Sequence, residues 1–90
     1  AFSNWDEVTP FLAADLPVVA SIRYGKDQLP GSPMPSTGGH LVVVFGVDER
    51  WVLVNDPAAL DRSAVTLRYP RAAFEKAWFE HRGAGYVLLP

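Results

Sequence analysis

Three polar side chains stand at the ends of two apolar, β-type runs of the sequence, and their types could support acid–base chemistry. His40 begins the first run, residues 40–47, while Asn55 and Asp56 end the second run, which begins at Trp51. A hairpin made of the two runs would bring these ends together. A carboxylate beside an imidazole fixes the tautomer and the orientation of the ring, and the imidazole can then serve as general base and general acid for a nucleophile. We therefore predict His40 and Asp56 as catalytic partners, with Asn55 as the alternative partner of the histidine.

The length of the turn between the two runs decides which side chain shares a face with His40, because side chains alternate between the faces of a strand. A three-residue loop would pair Val44 with Val54. His40 and Asp56 would then be diagonal neighbours on one face, within reach of each other. A two-residue loop would move Asp56 to the opposite face and put Asn55 on the face of His40. The catalytic interpretation therefore predicts an odd loop.

Each of these residues also has a non-catalytic interpretation. His40 could be a strand-end histidine that bonds to backbone groups. An aspartate before a proline, as in Asp56-Pro57, commonly starts a turn and accepts nearby backbone N–H groups. His81 falls on or beside the apolar stripe of the last predicted helix, which favours a structural role. Both faces of the hairpin are apolar, which predicts that it is covered on both sides.

Hydrophobic periodicity and turn residues predict an α+β chain with two helices and five strands, four of which could form one antiparallel sheet. Pro10 either kinks the first helix or begins a second helical turn after Thr9. The Pro- and Gly-rich connection at residues 25–39 is either a flap over the site or a plain surface excursion. The predicted helices cover residues 3–15 and 70–82, the predicted strands residues 18–24, 40–47, 51–56, 65–69 and 86–89, and a polar turn residues 58–63.

Composition limits the classes of function. Ninety residues with 49% hydrophobic side chains form one small globular domain. The net charge is −2 and no basic run occurs, which argues against a nucleic-acid partner. No apolar run reaches the roughly 18–20 residues that span a bilayer. The chain has no cysteine and no serine in a nucleophile-elbow pattern, so no nucleophile is identifiable. Its histidines share no metal-binding motif, and we predict neither a metal nor a cofactor.

The block from Gly38-Gly39-His40 to Asn55-Asp56-Pro57 resembles the C-terminal half of C39-like (papain-like) cysteine peptidase domains. Residues 16–22 and 85–89 are also similar to that family, so the resemblance covers nearly the whole chain. It implies a papain-like fold, of which this chain would form the antiparallel sheet half with two flanking helices. By motif match, His40 takes the general-base position and Asp56 the orienting position. Asn55 is the fallback, since other papain-like enzymes use Asn there.

The resemblance also implies what these 90 residues lack. The family carries its Cys on an N-terminal helix with an oxyanion-hole Gln just before it, and Gln28 is in the wrong place to be that residue. We expect residues 1–90 to be the C-terminal part of a single C39-like domain, inactive alone. With the missing N-terminal part it would be a hydrolase acting on a peptide or protein substrate. A non-catalytic peptide-binding or interaction module is the alternative, and a transglutaminase- or acyltransferase-like relative is a third possibility. The family context implies a secreted or cell-envelope bacterial protein.

Overall fold

Five antiparallel strands form one sheet, and two helices pack on one of its faces. The computed structural model of the protein describes residues 1–56 and 66–89, and the predicted polar turn at residues 58–63 lies outside them. In chain order the elements are α1 (Trp5–Ala13), β1 (Val18–Tyr24), β2 (Thr37–Val47), β3 (Trp51–Asn55), β4 (Thr66–Pro70), α2 (Arg71–Trp78), a 3-10 turn (Phe79–His81) and β5 (Gly85–Val87). The strand order across the sheet is β4-β3-β2-β1-β5. The α+β class is confirmed, and the sheet takes up all five strands rather than four.

Alternation along the strands builds one buried face of the sheet. The fully buried valines of the β2–β3 hairpin are Val42, Val44, Val52 and Val54. The residues between them point to the opposite face, where Leu41 is 50% and Leu53 is 37% exposed. The prediction that the hairpin is covered on both sides is therefore wrong in the described part of the chain. Both helices lie on the valine face, and the second face meets solvent.

Three aromatic rings join the two helices over the buried face. Trp5 of α1 lies against Phe74 and Trp78 of α2, with ring centroids 6.3 and 5.8 Å apart. Aromatic pairs at such distances add to the stability gained from burying their area. The indole N–H of Trp5 donates to the Glu75 carboxylate at 3.0 Å. That of Trp78 donates to the carbonyl of Ala84 at 2.9 Å, so both indoles of the core have hydrogen-bond partners.

Helix α1 runs through Pro10 as a single helix. Asn4 caps it by accepting a hydrogen bond from the N–H of Glu7 at 3.2 Å, a role that its side chain suits. The helix continues past Pro10 to Ala13, so the alternative of a second helical start after Thr9 does not occur.

Helix α2 is shorter than predicted. It begins at Arg71 and ends at Trp78, whereas the periodicity predicts a helix to residue 82. A 3-10 turn continues the chain to His81, and Gly83 with φ of +59° then reverses its direction. A Cβ at Gly83 would lie 1.7 Å from the carbonyl oxygen of Phe2, so this reversal requires glycine.

The connection between β2 and β3 is even, which corrects the predicted odd loop. Four residues separate the paired Val47 and Val52. Within them the N–H of Asp48 donates to the carbonyl of Trp51 at 2.9 Å, which leaves two residues at the tip. The carboxylate of Asp48 accepts hydrogen bonds from the backbone N–H groups of Arg50 and Trp51, both at 2.8 Å. These hydrogen bonds hold the pKa of that carboxyl below its ordinary value.

A β-bulge at Phe45 restores the register that the even turn would otherwise shift. On the turn side of the bulge, Gly46 faces Leu53. On the other side, Val44 faces Val54, and Phe45 between them has no partner across the hairpin. The strand ends that carry His40 and Asp56 therefore have the predicted alignment, although the turn does not have the predicted length.

The β1–β2 connection is anchored on the core. β2 begins at Thr37, earlier than predicted, so the loop covers residues 25–36. Leu29 in this loop is 3% exposed and belongs to the core cluster. A Cβ at Gly31 in this loop would lie 3.9 Å from the ring of Tyr69 in β4. The loop thus packs over the same region of the sheet that carries the residues described next.

Candidate active site

β2 places His40 at the rim of the buried face. His40 shares a face with Val42 and lies opposite Ile22 of β1. Its side chain is 14% exposed, so the ring is largely withdrawn from water and still reachable. Gly38 and Gly39 precede it in the same strand, and a Cβ at either would have no atom within 4 Å. The backbone leading into His40 therefore borders open space.

Asp56 directly follows β3 and is the side-chain partner of His40. It is fully buried, and its Oδ1 lies 2.6 Å from His40 Nε2. A neutral imidazole that donates from Nε2 to this carboxylate keeps Nδ1 as its acceptor. The interaction is stronger here than in water because the pair is partly desolvated. The structure brings the two predicted residues together, and their catalytic role stays a prediction.

A third side chain, Tyr69 of β4, joins the pair. Its hydroxyl donates to Asp56 Oδ2 at 2.8 Å, so each carboxylate oxygen has a side-chain partner. Tyr69 is fully buried, and burial, the hydrogen bond to Asp56 and the charge of that carboxylate raise its pKa well above the ordinary value. Tyr69 was missed from the sequence because it acts from another strand. The available signal was limited to its place in the alternating predicted strand 65–69, which does not show that it meets Asp56.

Tyr24 of β1 is a second buried tyrosine near the carboxylate. It is 3% exposed, and among the described residues its hydroxyl has no hydrogen-bond partner. The neighbouring Ser32 hydroxyl donates instead to the carbonyl of Met34 at 2.8 Å. Burial raises the pKa of Tyr24, the nearby Ser32 hydroxyl offsets part of the rise, and the negative charge of Asp56 adds to it. Both tyrosines are buried near Asp56, but only Tyr69 donates a hydrogen bond to its carboxylate.

A family model matches nearly the whole chain. Residues 1–86 match the family described as Peptidase_C39 like. The chain belongs to the peptidase C39-like family. No curated protein and no solved structure matches it. The resemblance that rests on the block from His40 to Asp56 is confirmed, and with it a peptidase-related origin.

In this C39-like chain the fallback partner Asn55 is not brought to His40. Asn55 is exposed and pairs with Val43 across the hairpin. Its neighbours Val54 and Asp56 are both buried, so Asn55 points to the solvent face of the sheet. Asp56 is therefore the residue that contacts the imidazole.

An open groove of about 450 Å³ lies between the end of β1 and α2 of the C39-like chain. Arg23, Tyr24 and Gln28 line one side, and Lys76 and His81 lie on the other. His81 is exposed there, which corrects its predicted structural place on the apolar stripe of α2. His40, the partner of Asp56, is not one of the residues that line this groove.

The site of the C39-like chain is an oriented imidazole. The 90 residues contain no cysteine. Within residues 1–56 and 66–89, no group of three or more His, Cys, Asp or Glu side chains is placed to hold a metal ion. None of the helices in these ranges has the length and apolar character that a membrane span requires. The pair can take up and return a proton for a nucleophile brought to Nδ1 of His40.

Proposed function

We propose that residues 1–90 are the His- and Asp-donating part of a C39-like cysteine peptidase with a papain-like fold. The enzyme hydrolyses peptide or related amide bonds through a Cys-His-Asp triad whose Cys lies outside these residues. The observation that carries the proposal is the 2.6 Å contact between His40 Nε2 and the buried Asp56 carboxylate in a chain of this family.

His40 serves as the general base in the proposed reaction. Asp56 holds the proton on Nε2, so Nδ1 accepts the proton of the thiol. The thiolate attacks the carbonyl carbon of the substrate, and the imidazolium returns the proton to the leaving amine. Water then attacks the acyl-thioester with His40 again as base, which releases the acid and restores the thiol.

Burial of Asp56 supports an orienting role for it. A carboxylate without water is held by its protein partners, so its position is set by the fold rather than by solvent. The paired imidazolium that forms during the reaction gains from the nearby negative charge. Truncation of Asp56 would leave the ring free to take the other tautomer, in which Nδ1 carries the proton and is no base.

The competing proposal is a non-catalytic peptide-binding module on the same fold. The open groove at the end of β1 favours it, because Arg23, Gln28 and Lys76 offer polar contacts to an extended chain. The two proposals differ at His40. Binding in the groove would survive the loss of this imidazole, and peptide hydrolysis would not.

A thiol-directed electrophilic peptide tests the peptidase proposal on the intact protein. We expect covalent labelling that slows by at least about a hundredfold in His40→Ala, since general-base catalysis contributes on that scale. His81→Ala, compared at saturating probe concentration, is the control for loss of an imidazole, because His81 is the other histidine and lines the groove rather than the pair. Labelling that is absent, or equally fast in His40→Ala, would overturn the proposal. Peptide binding without labelling would then favour the binding module.

A further inference from the structure

We propose that Tyr69 is a positioning residue for the His40–Asp56 pair. By donating to Asp56 Oδ2, its hydroxyl fixes the carboxylate rotamer in which Oδ1 faces His40 Nε2. The catalytic meaning of this role rests on the proposed function, whereas the hydrogen-bond chain from Tyr69 to His40 does not.

Asp56 needs a second anchor because its backbone stands at the end of the strand. The described pairs of β3 with β2 end at Asn55, one residue before it. The terminal torsion of an aspartate is broad and nearly two-fold, so contacts to both oxygens restrict the carboxylate more than a contact to Oδ1 alone. The carboxylate is fully buried, so a fixed donor on Oδ2 helps to set how Asp56 meets the imidazole.

Tyr69 is well built to be the fixed donor. Its backbone lies in β4, an edge strand of the sheet, where it pairs with Val52 of β3. Its ring stacks on Phe74 of α2, with centroids 6.0 Å apart and planes at 13°. A tyrosine has few torsions, and here full burial and the packing on Phe74 restrict them. The neutral phenol persists to high pH because burial and the charge of Asp56 disfavour the phenolate.

Tyr24 supplies a matched comparison for the role of the Tyr69 hydroxyl. Both residues are buried tyrosines close to Asp56. Replacing either by phenylalanine removes one buried oxygen and keeps the ring. Only Tyr69→Phe removes a hydrogen bond to the carboxylate.

Nuclear magnetic resonance of the imidazole nitrogens tests the proposal without an activity assay. In the unmutated protein we expect His40 as the Nε2–H tautomer, with a slowly exchanging Nε2 proton. Tyr69→Phe should speed the exchange of that proton by at least about tenfold and populate the Nδ1–H tautomer, since a hydrogen bond to a charged group is lost. Tyr24→Phe should leave the exchange within about twofold, because no bond to Asp56 changes.

A folded Tyr69→Phe protein with the exchange and tautomer of the unmutated protein would overturn the proposal, as would an equal response in Tyr24→Phe. The unmutated protein gives a second measurement that no folding defect can affect. There the Tyr69 hydroxyl proton should be visible and slowly exchanging, and its rapid exchange would also contradict the inference. The peptidase proposal is tested by a different measurement, the labelling with an electrophilic peptide, and it fails if no His40-dependent adduct forms.

Discussion

Two buried tyrosines should make this protein lose stability steeply at alkaline pH. The pKa values of Tyr69 and Tyr24 are both raised above the ordinary value of about 10 in the folded state. In the unfolded chain both phenols ionise near pH 10, while in the folded protein they stay neutral. Above that pH the unfolded state binds fewer protons than the folded state, so the free energy of unfolding falls as pH rises.

The size of the effect follows from the number of such groups. Each one lowers the free energy of unfolding by up to about 1.4 kcal/mol per pH unit between its unfolded and folded pKa. The two tyrosines together give a slope of up to about 2.7 kcal/mol per unit above about pH 10. A domain of this length has a total stability of roughly 5–13 kcal/mol, so the loss is measurable within one unit.

Urea unfolding followed by tryptophan fluorescence, at intervals from about pH 8 to 11.5, measures the slope. Tyr69→Phe should lower it by up to about 1.4 kcal/mol per pH unit, because one raised phenol is gone. Deprotonation of lysines contributes equally to the variant and to the unmutated protein and cancels in the difference. An unchanged slope in Tyr69→Phe would refute the idea that this phenol is held neutral by its surroundings.

Two further predictions concern the turns. The stabilisation by the Asp48 carboxylate is present above its unfolded pKa of about 4 and is lost as pH falls through the lower folded value. Asp48→Asn should therefore reduce the loss of unfolding free energy at acid pH. An unchanged acid dependence in urea titrations would count against the turn hydrogen bonds. Gly83→Ala should cost about 3 kcal/mol or more, since it adds left-handed strain to a clash with the Phe2 carbonyl. Gly38→Ala, where a Cβ meets no atom within 4 Å, should change the free energy of unfolding by less than about 0.5 kcal/mol, and equal effects of the two substitutions would contradict this explanation.

Local sequence patterns predicted the elements that carry the site. The β-branched runs and their flanking turn residues predict the strands of the hairpin, because the alternation of buried and exposed side chains depends on neighbouring residues in the sequence. The sequence analysis made the shared face of His40 and Asp56 conditional on an odd loop, whereas the structure reaches it with an even turn and a bulge at Phe45. Asn55 is excluded as the partner by the same alternation, once the register is known.

Non-local contacts account for what the sequence did not predict. Tyr69 meets Asp56 only because β4 pairs with β3, a contact across a stretch of chain that local periodicity does not describe. The bulge at Phe45 leaves no mark in the apolar pattern, and the neighbouring Gly46 inside the strand is the local signal that was available for it. The sequence left a kink or a new helix start open at Pro10, and the helix is continuous, with Phe11 and Leu12 after Pro10 packed against the core.

The bulge at Phe45 has a consequence for how hairpins of this kind can change in length during evolution. What keeps His40 and Asp56 on one face is the odd number of residues between Val44 and Val54, wherever the extra residue is lodged. A tip that grows by one residue can be offset by losing the bulge, and a tip that grows by two needs no offset. Insertions and deletions among related hairpins should therefore occur in pairs, or be coupled to the gain or loss of a bulge.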